Sequence, residues 1–593
     1  MPAPILSRRD MEFLLYEWLD VTALCTRQRF AEHSRDTFDA ILDLSAELAA
    51  KRFRTHNKKS DENEPQMRVD GTVELIDDIK VALDDFAAAG MIAGQFDERL
   101  GGLQLPATVA RASFAWFQAA NAGTSSYPLL TIANANLLVG YGTEEQIDTY
   151  VRPMLEGRFF GTMCLSEPQA GSSLADIITK AHRAGDGSFR VFGTKMWISA
   201  GDHQLTENIV HLVLAKTPGG GPGIRGISLL LVPKFLPDGT RNDVALVGLN
   251  HKMGNRGTTN TLLSFGGGSF SPSAEPGAVG YLVGPEHQGL AVMFNMMNEA
   301  RLGIGALATA LGYTGYLQAV DYARTRKQGR TPGRSGAVNG PVELIEHADV
   351  RRMLLMQKSY VEGALALVLY CSRLVDEEKT APDPEAAARA HLLLEMLTPI
   401  AKSWPAQWCL RANSLAIQVH GGYGYSREFD VEQLYRDNRL NAIHEGTHGI
   451  QGLDLLGRKV TMREGAGLRL LVDTMVATMD KAECDPQIVD YANQLRNHVD
   501  RLQEVTSTVR ACEDRTLALA NSSVYLEAAG HVVVAWIWLE QMLAVGDRVG
   551  DFYDGKRAAA RYFYTHELPG VRAQFDVLAR LDRTALDTHP DWF

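Results

Sequence analysis

The run "FRVFGTKMWISAG", Phe189 to Gly201, interrupts a sequence that is otherwise helical in texture. Its second half, "KMWISAG", alternates with a period of two, which belongs to a half-buried strand and puts Trp197 and Ser199 on one face. Three further runs are of the same kind: "NIVHLVLAK" (Asn208–Lys216), "GISLLLVPK" (Gly226–Lys234) and "TLLSFG" (Thr261–Gly266). Turn-forming stretches such as "TPGGGPG" and "LPDGTRND" separate them. The pattern predicts a β-barrel or sandwich of roughly a hundred residues.

Outward from this island the period becomes helical. "DTFDAILDLSAELAAKRF" and "ELIDDIKVALDDFAAAGMIAG" precede it, with apolar residues three and four apart. After "VGPEHQGL" come "AVMFNMMNEARLGIGALATALGYTGYLQAVDYARTR", "HADVRRMLLMQKSYVEGALALVLYCSRLVDEE" and, beyond the loop "KTAPDPE", a third long helical run ending in a Gly pair. Long helices running back and forth suggest a bundle. The expected chain is mainly α with a central β-barrel domain: an N-terminal helical domain (1–160), the β domain (161–282), a helical bundle (283–463) and a further C-terminal helical domain (464–593).

With 593 residues the chain is too long for one ordinary core, and length alone suggests about three to five domain-sized units. A formal net charge of -12 and no long Lys/Arg run argue against a nucleic-acid surface, which needs clustered cations. The six cysteines are scattered, without C-x-x-C pairs or His partners at ligand spacing, so neither a metal site nor a disulfide framework is expected, and a reducing compartment such as the bacterial cytoplasm fits best. The N-terminus lacks the long apolar core of a signal peptide. "HVVVAWIWLEQML" (His531–Leu543) is too short to span a bilayer and is broken by Glu540, so a buried helix is expected, no transmembrane segment, and peripheral membrane association as the lesser alternative.

Four short stretches carry candidate chemistry, and each has an ordinary explanation beside it. In "NAIHEGTHGIQG" (Asn441–Gly452), Glu445 lies among small and apolar residues. Loss of solvation there would prepare a base for a carbon acid, although an acid near a helix N-terminus also simply suits the helix dipole. "MCLSEPQAGSSLAD" (Met163–Asp176) offers amides and hydroxyls to a flat polar ring or phosphorylated ligand, or is a plain connection. In "KMWISAG" an aromatic beside a hydroxyl suits an aromatic cofactor, though core Trp residues are commoner. "HGGYGY" (His420–Tyr425) lets backbone approach a phosphate, or is a helix C-cap; with no preceding strand and no G-x-G-x-x-G it is not a Rossmann turn.

Taken in order, "LSEPQAGS", "KMWISAG", "YARTRKQG", "QVHGGYGY", "YRDNR" and "HEGTHGIQ" resemble the motifs of the acyl-CoA dehydrogenase family of FAD enzymes, over roughly Gly161 to Arg458. The resemblance implies a helical domain, a β domain and a four-helix bundle with FAD at their junction. It implies that Ser166 and Ser199 hydrogen-bond the flavin ring, that Trp197 packs beside it, and that Met163 belongs to the same cofactor-binding group. Arg326, Gln328, Gln418, Gly421 and Gly422 would hold the diphosphate and adenosine side of FAD across a dimer interface, and Thr447 would touch the cofactor. Ser172 would meet the CoA portion, with Asn298 and Arg301 on the helix lining the acyl pocket. Glu445 would remove the α-proton of an acyl-CoA thioester while hydride leaves the β-carbon, giving a trans-2-enoyl-CoA of medium or long chain. Electrons would pass to electron-transferring flavoprotein.

Some members of the family place the base just before the Arg of "MNEARLGIG"; that position here is Ala300, and Glu299 is about 100° around the helix, which favours Glu445. Two residues depart from the family pattern: His444 stands where Tyr is usual, and Gly329 replaces an aromatic. The C-terminal extension resembles that of the longer subgroup, which includes very-long-chain and 3-methylmercaptopropionyl-CoA dehydrogenases, and implies a homodimer. The alternatives are therefore a short sulfur-bearing acyl-CoA as substrate, an acyl-CoA oxidase, and a non-catalytic flavoprotein.

Overall fold

The computed structural model describes residues 4–330 and 340–593. The chain divides into two compact units, one of Met1–Arg35, Ala107–Ala115 and Ile304–Phe593, the other of Asp36–Pro106 and Trp116–Gly303.

The second unit is built around the strands β1 (Phe159–Cys164), β2 (Lys180–Arg183), β3 (Phe189–Ser199), β4 (Asn208–Lys216), β5 (Ile227–Pro233), β6 (Val244–Leu249), β7 (Asn260–Phe265) and β8 (Ala278–Leu282). Their order is β8-β5-β4-β2-β3-β7-β6, with β1 parallel to β4. Strand β8 closes the ring by pairing Ala278 to Gly280 with β3 and Tyr281 and Leu282 with β5, so the strands form a small barrel. Alternate residues fill it: Phe189, Val191, Val213, Leu230, Val232, Leu263 and Phe265 are buried.

One strand breaks its alternation. The pairing of β3 with β7 slips between Lys195 and Ile198, a bulge that lets both of these residues face inward although they are three apart. Trp197 sits in the bulge at φ +64° and is 57% exposed, and Ser199, two residues on, is half-buried. A bulge therefore stands where the alternation predicts a regular strand.

Two consecutive helices, α1 (Ala107–Ala120) and α2 (Ala122–Tyr141), precede the barrel. Asn121 starts α2, its side chain accepting from Thr124 N at 3.0 Å. Helix α2 is apolar on nearly all sides and buried to match. Asn134 Nδ2 donates to Thr162 O at 3.1 Å and Val210 O at 3.0 Å, pinning the helix across β1 and β4.

The long helix α3 (Gly289–Thr325) leads into α4 (Ala348–Thr380) and α5 (Pro384–His420). In the first unit, Ala319, Ala323, Met353, Leu354, Leu415, Ala416 and Val419 make one apolar core between these three helices. Pro399 and Pro405 lie inside α5, so the carbonyl of Ala401 has no amide four residues on to bond. That carbonyl faces Gly305 so closely that an added Cβ would lie 2.0 Å from it.

Then come α6 (Val431–Arg439) and α7 (His448–Gly457), and the C-terminal helices α8 (Ala466–Ala482), α9 (Val489–Ala511), α10 (Ser522–Val545), α11 (Asp551–Tyr562) and α12 (Val571–Ala579). Helix α10 is long and apolar enough to cross a membrane, but it is the core helix of this unit, buried over most of its length. Its tryptophans find partners without water: Trp536 Nε1 donates to Thr478 Oγ1 at 2.8 Å and Trp538 Nε1 to Ser359 O at 3.2 Å. A buried ionic cluster joins the ends of the chain, since Lys556 of α11 pairs with Asp10 and, at 3.0 Å, with Glu362 of α4.

Candidate active site

On the barrel unit, the loop after β1 folds back on itself through a bridge between Glu167 and Ala170. Met196 N donates to Ser166 O at 3.0 Å, which joins this loop to β3. The joint is held from inside by a buried ion pair, Lys195 Nζ to Glu167 Oε1 at 2.9 Å. Lys195 also donates to Leu165 O at 2.9 Å, and Glu167 accepts from the amides of Ile178 and Thr179 at 2.7 and 3.1 Å. Burial by itself would raise the Glu167 pKa, but the Lys195 ammonium and these donors more than offset it and hold the carboxyl at about 2. The same burial lowers Lys195, with Glu167 opposing.

This clip fixes the geometry of the surface above it. Met163 is buried on β1; Ser166 is half-buried and its hydroxyl is engaged by no protein group among the described residues. Ser199 Oγ accepts from Asn260 Nδ2 at 3.3 Å. An exposed Trp197 face next to two seryl hydroxyls fits a flat ring with polar edges, which is what a flavin presents. Ser172 lies farther along the same loop and is exposed. Neither Glu167 nor Lys195 received a role from sequence, although both lie inside the two motifs; their acid-and-base pairing across 28 residues was the available signal.

On the same unit, Arg301 is buried and donates to Asn298 Oδ1 at 3.4 Å. Glu299, the rival acid, accepts from Asn136 Nδ2 with both oxygens, at 2.8 and 3.0 Å.

On the helical unit, two groups form. Tyr322 stacks on His420 at 4.3 Å, so the C-terminal ends of α3 and α5 lie together, and the Arg326 guanidinium sits 5.6 Å from the Tyr423 ring. Arg326, Gln328, Gln418, Gly421 and Gly422 are all exposed there, and a Cβ at either glycine would meet nothing within 4 Å. An extended anionic ligand can approach that backbone closely.

The second group is the Glu445 loop. Glu445, half-buried, has φ +53°, a left-handed conformation rare for a residue with a Cβ, and Gly446 follows at φ +85°. Thr447 ends the turn as the N-cap of α7, its hydroxyl accepting from Ile450 N at 3.3 Å. Gln451 Nε2 donates to Glu445 O at 3.1 Å and Lys402 Nζ to Gly446 O at 2.7 Å. His444 is driven by burial, with help from the Lys402 charge, down to about 3 and is neutral at physiological pH.

Models of an acyl-CoA dehydrogenase middle domain, an acyl-CoA dehydrogenase C-terminal domain and an acetyl-CoA dehydrogenase C-terminal-like domain match residues 162–267, 287–460 and 471–589. The 3-methylmercaptopropionyl-CoA dehydrogenase of Ruegeria pomeroyi is 34% identical over 91% of this chain and 89% of its own. The chain belongs to the acyl-CoA dehydrogenase family. It is 30% identical to a broad-specificity linear acyl-CoA dehydrogenase of Mycobacterium tuberculosis, over 98% of both chains. In fold, this acyl-CoA dehydrogenase is similar to an acyl-CoA dehydrogenase of Bacillus anthracis complexed with FAD, with a TM-score of 0.75, 17% identity, and coverage of 98% of this chain and 95% of the other. As a member of that family it is an oxidoreductase acting on CH–CH donors, with FAD as its cofactor.

Proposed function

We propose that this acyl-CoA dehydrogenase converts a medium- or long-chain acyl-CoA to its trans-2-enoyl-CoA, with Glu445 as the base. The observation that supports this reading is the left-handed Glu445, anchored through its own carbonyl and the next one at the head of α7. A carboxylate held at a fixed point can meet an α-C–H in the same pose each time, which removes much of the orientational cost of proton transfer. As the proton leaves, charge develops on the thioester oxygen, and hydrogen-bond donors aimed at that oxygen must stabilise it. Ser166 and Ser199 would hydrogen-bond the isoalloxazine with Trp197 beside it, Met163 and Thr447 would belong to the same cofactor's site, and Arg326, Gln328, Gln418, Gly421 and Gly422 would hold the diphosphate and adenosine end; bound FAD supplies the acceptor for the β-hydride. Ser172 would contact CoA, and Asn298 and Arg301 the acyl region.

Further parts of the proposal are a homodimer in the bacterial cytoplasm, electron-transferring flavoprotein as the oxidant, and domains at 1–160, 161–282, 283–463 and 464–593. A second reading, supported by the 34% identity to the Ruegeria enzyme, keeps base and cofactor but takes a short sulfur-bearing acyl-CoA. Anaerobic titration of the flavin with butyryl-, octanoyl-, palmitoyl- and 3-methylmercaptopropionyl-CoA separates the two by which thioester bleaches it fastest. Glu445→Gln should retain FAD and lose bleaching with every substrate; full bleaching would overturn the assignment of the base.

A further inference from the structure

Lys402 lies in α5 between Pro399 and Pro405 and is fully buried. Burying an ammonium is costly unless its donors are used. One donor reaches Gly446 O, the carbonyl immediately after the proposed base. On the other side of that base runs a line of buried amides. Asn413 Nδ2 donates to Leu311 O at 2.9 Å, and Asn438 Nδ2 to Asn413 Oδ1 at 2.7 Å. Asn441 Nδ2 donates to Asn438 Oδ1 at 2.9 Å, and Asn441 Oδ1 meets His444 Nε2 at 3.1 Å. All three asparagines are fully buried.

The line has a direction. The Asn441 nitrogen is committed to Asn438, so its oxygen can only accept, and His444 must carry its proton on Nε2. The residue before Glu445 and the residue after it are thus tied to different helices, His444 through Asn441 to Asn438 of α6 and Gly446 to Lys402 of α5. Between them the chain is kept left-handed at a non-glycine residue, a strained conformation that persists only where its surroundings impose it.

We propose that Lys402 and His444, backed by Asn413, Asn438 and Asn441, are positioning residues that hold the Glu445 carboxylate in the pose for proton abstraction. The proposal rests on Glu445 being the base. It is tested with Lys402→Met, Lys402→Arg, Asn441→Leu and Glu445→Gln on the full-length FAD enzyme. Lys402→Met should bind FAD and acyl-CoA within about threefold of the parent, while flavin bleaching at saturating acyl-CoA slows roughly 100-fold, the loss expected from about 1 Å of misplacement. Lys402→Arg should recover at least about tenfold of that loss. In the apoprotein, amide exchange across 444–447 should quicken at least about tenfold in Lys402→Met. Bleaching within threefold of the parent in Lys402→Met, with Glu445→Gln inactive beside it, overturns the clamp and leaves the base intact. Normal bleaching in Glu445→Gln overturns the base itself. If Lys402→Met does not fold, Asn441→Leu decides: it should show the same split between unchanged binding and slowed bleaching, and an unchanged rate refutes the clamp.

Discussion

Lys195→Met removes one half of the ion pair that clips the loop after β1 to strand β3. Both side chains are within 1% of complete burial, so no water can replace the lost ammonium. Breaking such a pair from one side costs about 3–5 kcal/mol, because a carboxylate remains buried without its counter-charge and Leu165 O loses its donor. For a unit of roughly 250 residues that corresponds to a fall in Tm of about 6–20 °C. Differential scanning of the apoprotein at pH 7 measures it, and FAD fluorescence quenching gives the accompanying loss of cofactor affinity. The pH dependence follows from sign. The folded Glu167 pKa, about 2, lies below the usual carboxylate value, so its contribution is complete above about pH 4.5 and disappears as pH falls toward 2. The gap between parent and variant should therefore narrow over that window. Adding Glu167→Gln to Lys195→Met removes the stranded charge and should cost less than the two single losses summed. A Tm within 2 °C of the parent for Lys195→Met, or strict additivity in the double variant, would refute the reasoning.

Other perturbations read different parts of the molecule. Gly305→Ala places a Cβ 2.0 Å from the Ala401 carbonyl, so α3 and α5 must part; a loss of about 1–3 kcal/mol is expected from the urea midpoint, and none would show that the helices yield freely. Lys556→Met leaves Asp10 and Glu362 buried together and should cost about 3–5 kcal/mol, visible as early unfolding of the helical unit in hydrogen exchange; unaltered protection would contradict it. Burial holds His203, His211 and His444 at about 3 and His531 at about 4. Their folded values lie below the unfolded one, so the unfolded chain binds more protons and stability falls as pH drops below about 6.5, by up to about 1.4 kcal/mol per pH unit for each. Urea midpoints at pH 7.5 and pH 5.0 test this, and equal midpoints would be the contrary result.

Much of the fold is legible in the sequence because its signals are local. "NIVHLVLAK" is a strand over the same residues, Asn208–Lys216, and the three long helical runs are α3, α4 and α5. What stays hidden is non-local. Strand β8 closes the barrel with five residues, and its evidence lies in two partners about 50 and 90 residues upstream. The first 35 residues form one unit with the C-terminal helices because Asp10 needs Lys556 and the Tyr313 hydroxyl, and Arg27 needs Glu377, none of them near in sequence.

The site divides along the same line. Motif residues such as Ser166, Trp197 and Glu445 are readable because each sits in a short distinctive string. Lys402 is not, since in "LTPIAKSWPAQ" it resembles an ordinary polar interruption of a helix. Yet the string does hold a clue. A lysine on a solvent-facing stripe has polar or acidic neighbours three and four residues away. Those positions here are Thr398, Pro399, Pro405 and Ala406, with Thr398 the single polar side chain and no acid among them. All four are buried. A cation so placed, with no acid in reach on its own helix, is served by acceptors on another part of the chain. In this fold one acceptor is the carbonyl beside Glu445, 44 residues away, where an error of an ångström would fall on the proposed base.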